Sequence, residues 1–268
     1  MKGITGMVFI MFLIFFVFFT IQTLWVKCSI HKLETSSRVS LTVVQLSDLH
    51  GRIQFINGSL SSIVNKVNPD YVFITGDLVS KKSQIYNVLR EIRKLNCPNI
   101  YFVPGNYERE GLVGFRKKLY SDEEYSFILR SLQEQNVSVL SNSGTQLETN
   151  QGKFLLYGFD NSIYGNERLT LNIEELNYDY FIMLAHSPNI INFIEEKKLP
   201  YDLLLVGHTH GGQIRFLNRT IGAYKNYHVG LRKLDQRRNF YINRGLGTVK
   251  IPIRMACFPE IAVFKIGF

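Results

Sequence analysis

A chain of 268 residues with 46% apolar and 20% charged side chains is long enough for one sizeable domain with its own core, and too apolar to be disordered. Its formal charge of +9 favours anionic partners (nucleic acid, acidic lipid head groups or phosphorylated substrates) without choosing among them. Three scattered cysteines, Cys28, Cys97 and Cys257, argue against a disulfide framework and offer no cysteine–zinc site.

The first predicted element is a membrane helix. From Ile4 to Val26 the sequence ITGMVFIMFLIFFVFFTIQTLWV carries no charge, and at 1.5 Å per residue it spans roughly 30 Å of hydrocarbon. Trp25 and Lys27 stand where interfacial anchors belong. A cleaved signal peptide would have a shorter apolar region and small residues at its cleavage site, and neither is seen. Residues 1–27 are therefore read as an uncleaved single-pass anchor in the cell membrane, with the span at about 4–26. Lys27, Lys32 and Arg38 outnumber Lys2, but this margin is too small to fix the side on which the domain lies. Residues 28–40 read as a polar tether and residues 41–268 as the folded domain.

Short apolar, β-branched runs then recur with turn residues at their ends: Leu41–Leu46, Tyr71–Thr75, Ile100–Val103, Phe154–Tyr157, Tyr180–Leu184 and Leu203–Val206. Such runs suit strands buried on both faces. Between them, Gly58–Val67 and Gln84–Leu95 place apolar residues on one helical face, and Ser121-Asp122-Glu123-Glu124 is a capping box before a helix to about Gln135. Further strands are expected at Gln213–Phe216, Asn239–Ile242 and Ile261–Ile266. The alternation implies an α/β fold with two packed sheets flanked by helices.

The chemistry collects at strand ends. The first run leads into Ser47-Asp48-Leu49-His50, the second into Gly76-Asp77, and the third into Gly105-Asn106-Tyr107. Later runs lead into His186 and into Gly207-His208-Thr209-His210-Gly211-Gly212. Ligands of open α/β sheets gather at the carboxyl ends of strands. Taken singly, a strand-end Asp is a turn former, an Asn after Gly a turn residue and one His a structural histidine. Together they form a set of carboxylate, carboxamide and imidazole donors suited to Mn, Fe or Zn. Seven donors exceed what one ion takes, and a carboxylate can bridge, so the set points to two metals.

The ordered series D-x-H, G-D, G-N, H, G-H-x-H resembles the calcineurin-like metallophosphoesterases from Leu41 to the end of the chain. GHTHGGQ and the segment Arg244–Ile261 (RGLGTVKIPIRMACFPEI) further resemble a membrane-anchored bacterial phosphodiesterase subgroup, which includes members like UDP-2,3-diacylglucosamine pyrophosphatase. The resemblance implies a four-layer α/β/β/α sandwich of two mixed sheets. It implies that Asp48, His50 and His210 hold one divalent ion, that Asn106, His186 and His208 hold a second, and that Asp77 bridges them. The catalytic set it implies is Asp77, Asn106, Tyr107 and His208, with a metal-bound hydroxide attacking phosphorus.

The implied substrate carries a phosphodiester or pyrophosphate, lipid-linked members of that class included, and the membrane is the other partner. No protein partner is expected, and no nucleic-acid-binding motif is present. The competing readings are a nuclease or broad phosphodiesterase on soluble substrates, and a catalytically silent membrane scaffold. The departure from the family is Tyr107, where a histidine is usual. Tyrosine is a poor acid but a good hydrogen-bond donor, so it packs under the site, orients a phosphoryl oxygen, or marks a leaving group that needs no strong acid. Arg109 and Arg116, followed by Lys117 and Lys118, read either as a phosphate clamp that binds substrate or as a solvated loop. Arg232, Lys233, Arg237 and Arg238 read as a lipid-facing cluster or a solvated face.

Overall fold

The computed structural model describes residues 2–113, 116–149, 151–217 and 219–268. Twelve strands form two six-stranded sheets. In chain order they are β1 (Lys27–Leu33), β2 (Leu41–Leu46), β3 (Tyr71–Thr75), β4 (Ile100–Val103), β5 (Val137–Val139), β6 (Ser143–Thr149), β7 (Gly152–Gly158), β8 (Tyr180–Leu184), β9 (Leu203–Val206), β10 (Gly230–Lys233), β11 (Asn239–Ile242) and β12 (Glu260–Ile266). The helices are α1 (Lys2–Leu24), α2 (Leu60–Asn65), α3 (Ile85–Ile92), α4 (Asp122–Gln133) and α5 (Ile190–Glu196).

The first sheet has the order β1-β12-β2-β3-β4-β5 and the second β6-β7-β8-β9-β11-β10. Strands β2 to β5 run parallel, as do β7, β8, β9 and β11. Alternation within the strands builds the layers. Val44, Val72 and Ile74 face a core shared with Leu60, Val88 and Leu132 of α2, α3 and α4. Val43 and Phe73 face the opposite way, onto Phe154, Ile182, Leu205 and Phe264 between the sheets. Phe181, Leu204 and Ile242 face Ile190 and Ile194 of α5. Three cores between four layers make the α/β/β/α sandwich, and strands packed on both faces read as continuous apolar runs for that reason.

The helices are shorter than their apolar stripes suggested, because their last turns fray into turns. The capping box is present: Ser121 Oγ accepts from Glu124 N–H, and Glu124 Oε2 accepts from Ser121 N–H at 3.2 Å. Two local expectations need correction. Only Arg215–Phe216 of the expected strand at 213–216 is extended, in a small ribbon with Arg219–Thr220. The first part of the segment expected to be a polar tether is β1, paired in parallel with β12 from Lys27↔Glu260 to Leu33↔Ile266. An edge strand needs few buried side chains, and KCSIHKL buries only Leu33, so its sequence looks like a linker.

Candidate metal centre

All five donor-bearing strand ends, those of β2, β3, β4, β8 and β9, meet at one edge of the sandwich. Gln45 Nε2 donates to Val206 O across the sheets at 3.1 Å, and His186 Nδ1 lies 2.8 Å from Thr75 O, so the two edges are locked together. The backbone there is strained. Asp48, His50, Asp77, His208 and His210 have φ of 51°, 47°, 57°, 69° and 51°. Left-handed non-glycine residues cost about 1–3 kcal/mol each and persist only where surrounding bonds overdetermine them. Here Asp48 and His50 N–H donate to Gly76 O and Asp77 O at 3.1 and 3.0 Å. The buried Glu108 carboxylate accepts from Asp77, Leu78 and Gly105 N–H at 2.9, 2.8 and 2.6 Å. At Gly76, with φ of 76°, a Cβ would lie 2.6 Å from both Gly105 N and His186 Nδ1, so only glycine fits.

Two donor groups result, each with its ligand atoms within 4.8 Å of one another: Asp48, His50 and His210, and Asp77, His186 and His208. His50 Nε2 and His210 Nε2 are 3.2 Å apart, and Asp48 Oδ1 is 3.5 Å from the latter. In the second group His186 Nε2 lies 3.0 Å from His208 Nδ1 and 3.2 Å from Asn106 Oδ1. One oxygen joins the groups: Asp77 Oδ2 is 3.3 Å from His186 Nε2 and 3.6 Å from His50 Nε2. Its partner Oδ1 accepts from Tyr107 N–H at 2.8 Å.

The donors are aimed from behind. His186 Nδ1–H donates to the Thr75 carbonyl, which orients the ring so that Nε2 faces the site. Asn106 Nδ2 donates to Glu110 Oε1 at 2.7 Å, which turns the amide oxygen inward. His50 Nδ1 contacts Ser80 Oγ at 2.9 Å, and Ser47 O–H and His208 N–H both donate to Asp48 Oδ2, at 2.6 and 3.0 Å. None of Ser80, Glu108, Glu110 or Arg254 was marked by the sequence; their roles come from tertiary hydrogen bonds. Arg254 is fully buried, and its guanidinium donates to Gly247, Arg244 and Gly245 carbonyls at 2.6, 2.8 and 3.1 Å beside His210.

The electrostatics suit cation binding. Burial drives the pKa of His50 down to about 4, against the pull of Asp77. Burial and His186 take His208 down to about 3, and burial, His50 and Arg254 push His210 well below the usual range. All three rings are neutral, as ligands must be. Burial raises Asp48 to about 6, whereas Asp77, despite burial, is held below the carboxylate range by His186 and the other imidazoles. His186 rises to about 10 because Asp77, then Asp48, outweigh its own burial. The buried carboxylates therefore call for positive charge between them, and divalent ions meet that demand with a fitting donor set.

Four of the donors, Asp77, Asn106, His208 and His210, line a cavity of about 530 Å³. Tyr107 lines it, buried and edge-on to His50 with ring centroids 4.7 Å apart. Burial, then Asp77 and Glu110, push its phenol up to about 12, so it keeps its proton at neutral pH. The cationic pair expected to bind substrate does not reach the cavity. Arg109 Nη2 donates to Asp160 at 2.7 Å, and its guanidinium stacks 3.9 Å over Tyr125. Arg116 is exposed on the strand Arg116–Leu119, and side chains alternate there, so Lys117 lines the cavity instead. Half of the cluster at 232–238 is neutralised: Arg237 pairs with Asp202, and Arg238 with Asp235 and Glu195.

The calcineurin-like phosphoesterase family model matches residues 41–212. The chain belongs to that family. It is similar to the metallophosphoesterase YkoQ of Bacillus subtilis, 29% identical over 247 residues covering 86% of this chain and 85% of the other. It is 26% identical to the phosphodiesterase YaeI of Escherichia coli, over 90% of this chain and 88% of that one. A transmembrane protein with metallophosphoesterase domain from Danio rerio is 27% identical over 88% of this chain and 55% of its own length. As a calcineurin-like phosphoesterase, the chain is a metal-dependent phosphoester hydrolase with two divalent ions as its cofactors.

Proposed function

We propose that the chain is a membrane-anchored hydrolase of phosphodiester or pyrophosphate bonds, with lipid-linked substrates as its natural class and residues 41–268 as the catalytic unit. The single observation that carries the two-metal part is Asp77 Oδ2, within 3.6 Å of a nitrogen from each donor group. Asp48, His50 and His210 would hold one ion, and Asn106, His186 and His208 the other, with Asp77 between them. Bound there, the ions would supply an acidified water and neutralise charge developing on the phosphoryl group. Lys117, ion-paired with Glu110 and 5.0 Å from the Tyr107 ring, would be shared between that carboxylate and an incoming phosphate, and Tyr107 O–H donates to a phosphoryl oxygen without giving up its proton. Ile214, Ile221, Val249 and Ile251 on the cavity wall keep water away and favour an apolar substituent over nucleic acid.

The anchor reading draws support from α1, whose apolar segment Ile4–Leu24 is long enough to cross a bilayer and is exposed from Ile4 to Phe18. The bond type is favoured by Tyr107: a leaving phosphate, with a second pKa near 6, departs without a strong acid, whereas an alkoxide does not. Hydrolysis of bis-p-nitrophenyl phosphate, a methyl phosphodiester and a lipid pyrophosphate, with Mn, Zn, Fe or Mg restored after chelation, tests this. The pyrophosphate and aryl ester should turn over and the alkyl ester should not, and Tyr107→His should raise the alkyl rate by ~10²-fold. An unchanged alkyl rate removes the leaving-group argument.

A further inference from the structure

We propose that the rim of the metal-centre cavity docks into an anionic lipid bilayer, so that an amphiphilic substrate enters the site from the membrane. This rests on the anchor reading of α1 and goes beyond it by assigning the face that meets the lipid.

Topology puts the helix at the site. Strand β12 runs antiparallel to β2, and β1 runs parallel to β12. Lys27, which opens β1, therefore pairs with Glu260 at the edge where β2 and β3 deliver Asp48 and Asp77. Only Trp25 and Val26 separate α1 from β1. That joint is bonded to the domain. Leu24 O accepts from Ile56 N–H at 2.9 Å, Val26 exchanges bonds of 3.1 and 2.9 Å with the Asn57 amide, and Thr23 Oγ accepts from Arg254 N–H at 2.9 Å. The attitude of the domain to the helix is thus set by bonds from two segments, Ile56–Asn57 and the one that holds Arg254.

The same segments lead to the cavity. Arg254 follows Val249, Lys250 and Ile251, which line the wall. Gln213 Nε2 ties Val249 O and Ile251 O at 3.3 and 2.6 Å, and Arg215 N–H donates to Met255 O at 2.9 Å, which seats the ribbon 215–220 beside them. That ribbon and rim expose Phe216, Leu217, Ile221 and Ile251, with Leu217 at 80%. Arg219, Lys225 and Lys250 are exposed among them. Apolar tips flanked by cations, next to an apolar helix, fit the boundary of a bilayer with acidic head groups.

The test uses the full chain in phosphatidylcholine–phosphatidylglycerol vesicles with lipids brominated near the head-group end of their acyl chains. Trp25, the sole tryptophan, is first changed by Trp25→Phe. Leu217→Trp should then be quenched roughly twofold. Asn96→Trp, exposed in the turn before β4 at the opposite end of the sheet, should be quenched little. Equal, weak quenching of both overturns docking, as does a Leu217→Trp emission that shifts to the blue only with rising protein density, which would mean a second copy covers the rim. Leu217→Asp should lower turnover of a vesicle-borne phosphodiester by ~10-fold while leaving soluble bis-p-nitrophenyl phosphate untouched. Unchanged turnover on vesicles overturns entry from the membrane. Should the parent chain hydrolyse neither substrate, the phosphodiester reading falls while the quenching still decides docking.

Discussion

The two donor groups differ in what stands behind them. Behind the second lie acceptors: the Thr75 carbonyl at His186 and the Glu110 carboxylate at Asn106. Behind the first lie a hydroxyl, Ser80 at His50, and a cation, Arg254, whose Nη2 is 3.4 Å from His210 Nδ1. Acceptors behind a ligand raise its basicity, and a buried guanidinium lowers it. Once its rings are neutral, the second group should therefore bind its ion more tightly, by about tenfold or more. The lesson is that similar ligand sets can be ranked by the charges they lean on.

The largest expected effect breaks both groups at once. Asp77→Asn keeps the shape and the bond from Tyr107 N–H but removes the charge that faces both. Turnover of bis-p-nitrophenyl phosphate should fall by ~10³-fold. The metal content after dialysis, measured by mass spectrometry, should fall below two ions per chain. Retention of both ions with full turnover would mean that Asp77 joins nothing.

That these seven side chains would gather at one edge was legible because strand-end chemistry is written beside the apolar runs that place it. Neither Glu110 nor Arg254 was legible. Arg254 contacts the His210 carbonyl from 44 residues away, and no local pattern encodes that meeting. Strand β1 was hidden by polarity, since an edge strand in water needs no apolar alternation. Arg109 was misleading for a related reason: Asp160, 51 residues on, holds its guanidinium over Tyr125 and out of the cavity, and no local pattern encodes that pairing.

Weakening one group at a time sharpens the ranking. Glu110→Ala releases the Asn106 amide, and affinity at the second group should drop ~100-fold with the first unchanged. Ser80→Ala frees only a ring that Asp77 and Tyr107 still flank, and the first group should lose ~10-fold. Stepwise calorimetric titration of the apo chain with Zn reads both. A loss shared equally by the two sites in either variant would show that the groups do not act separately.

The smallest effect per step, about tenfold for each pH unit, and the most selective, is in pH. His186, raised to about 10, carries a proton at neutrality that must leave before its ring can bind an ion. Affinity at the second group should therefore rise about tenfold per unit between pH 7 and 9, with about one proton released. The first group holds no such proton. His50 titrates at about 4, His210 well below the usual imidazole range and Asp48 at about 6, so its affinity should climb up to about pH 6 and level off above. Competition with a fluorescent chelator at pH 5.5, 7 and 8.5 separates the two slopes. Parallel slopes above pH 7 would mean that the charge on His186 is shared by both groups, and the division drawn from Thr75, Glu110 and Arg254 would be lost.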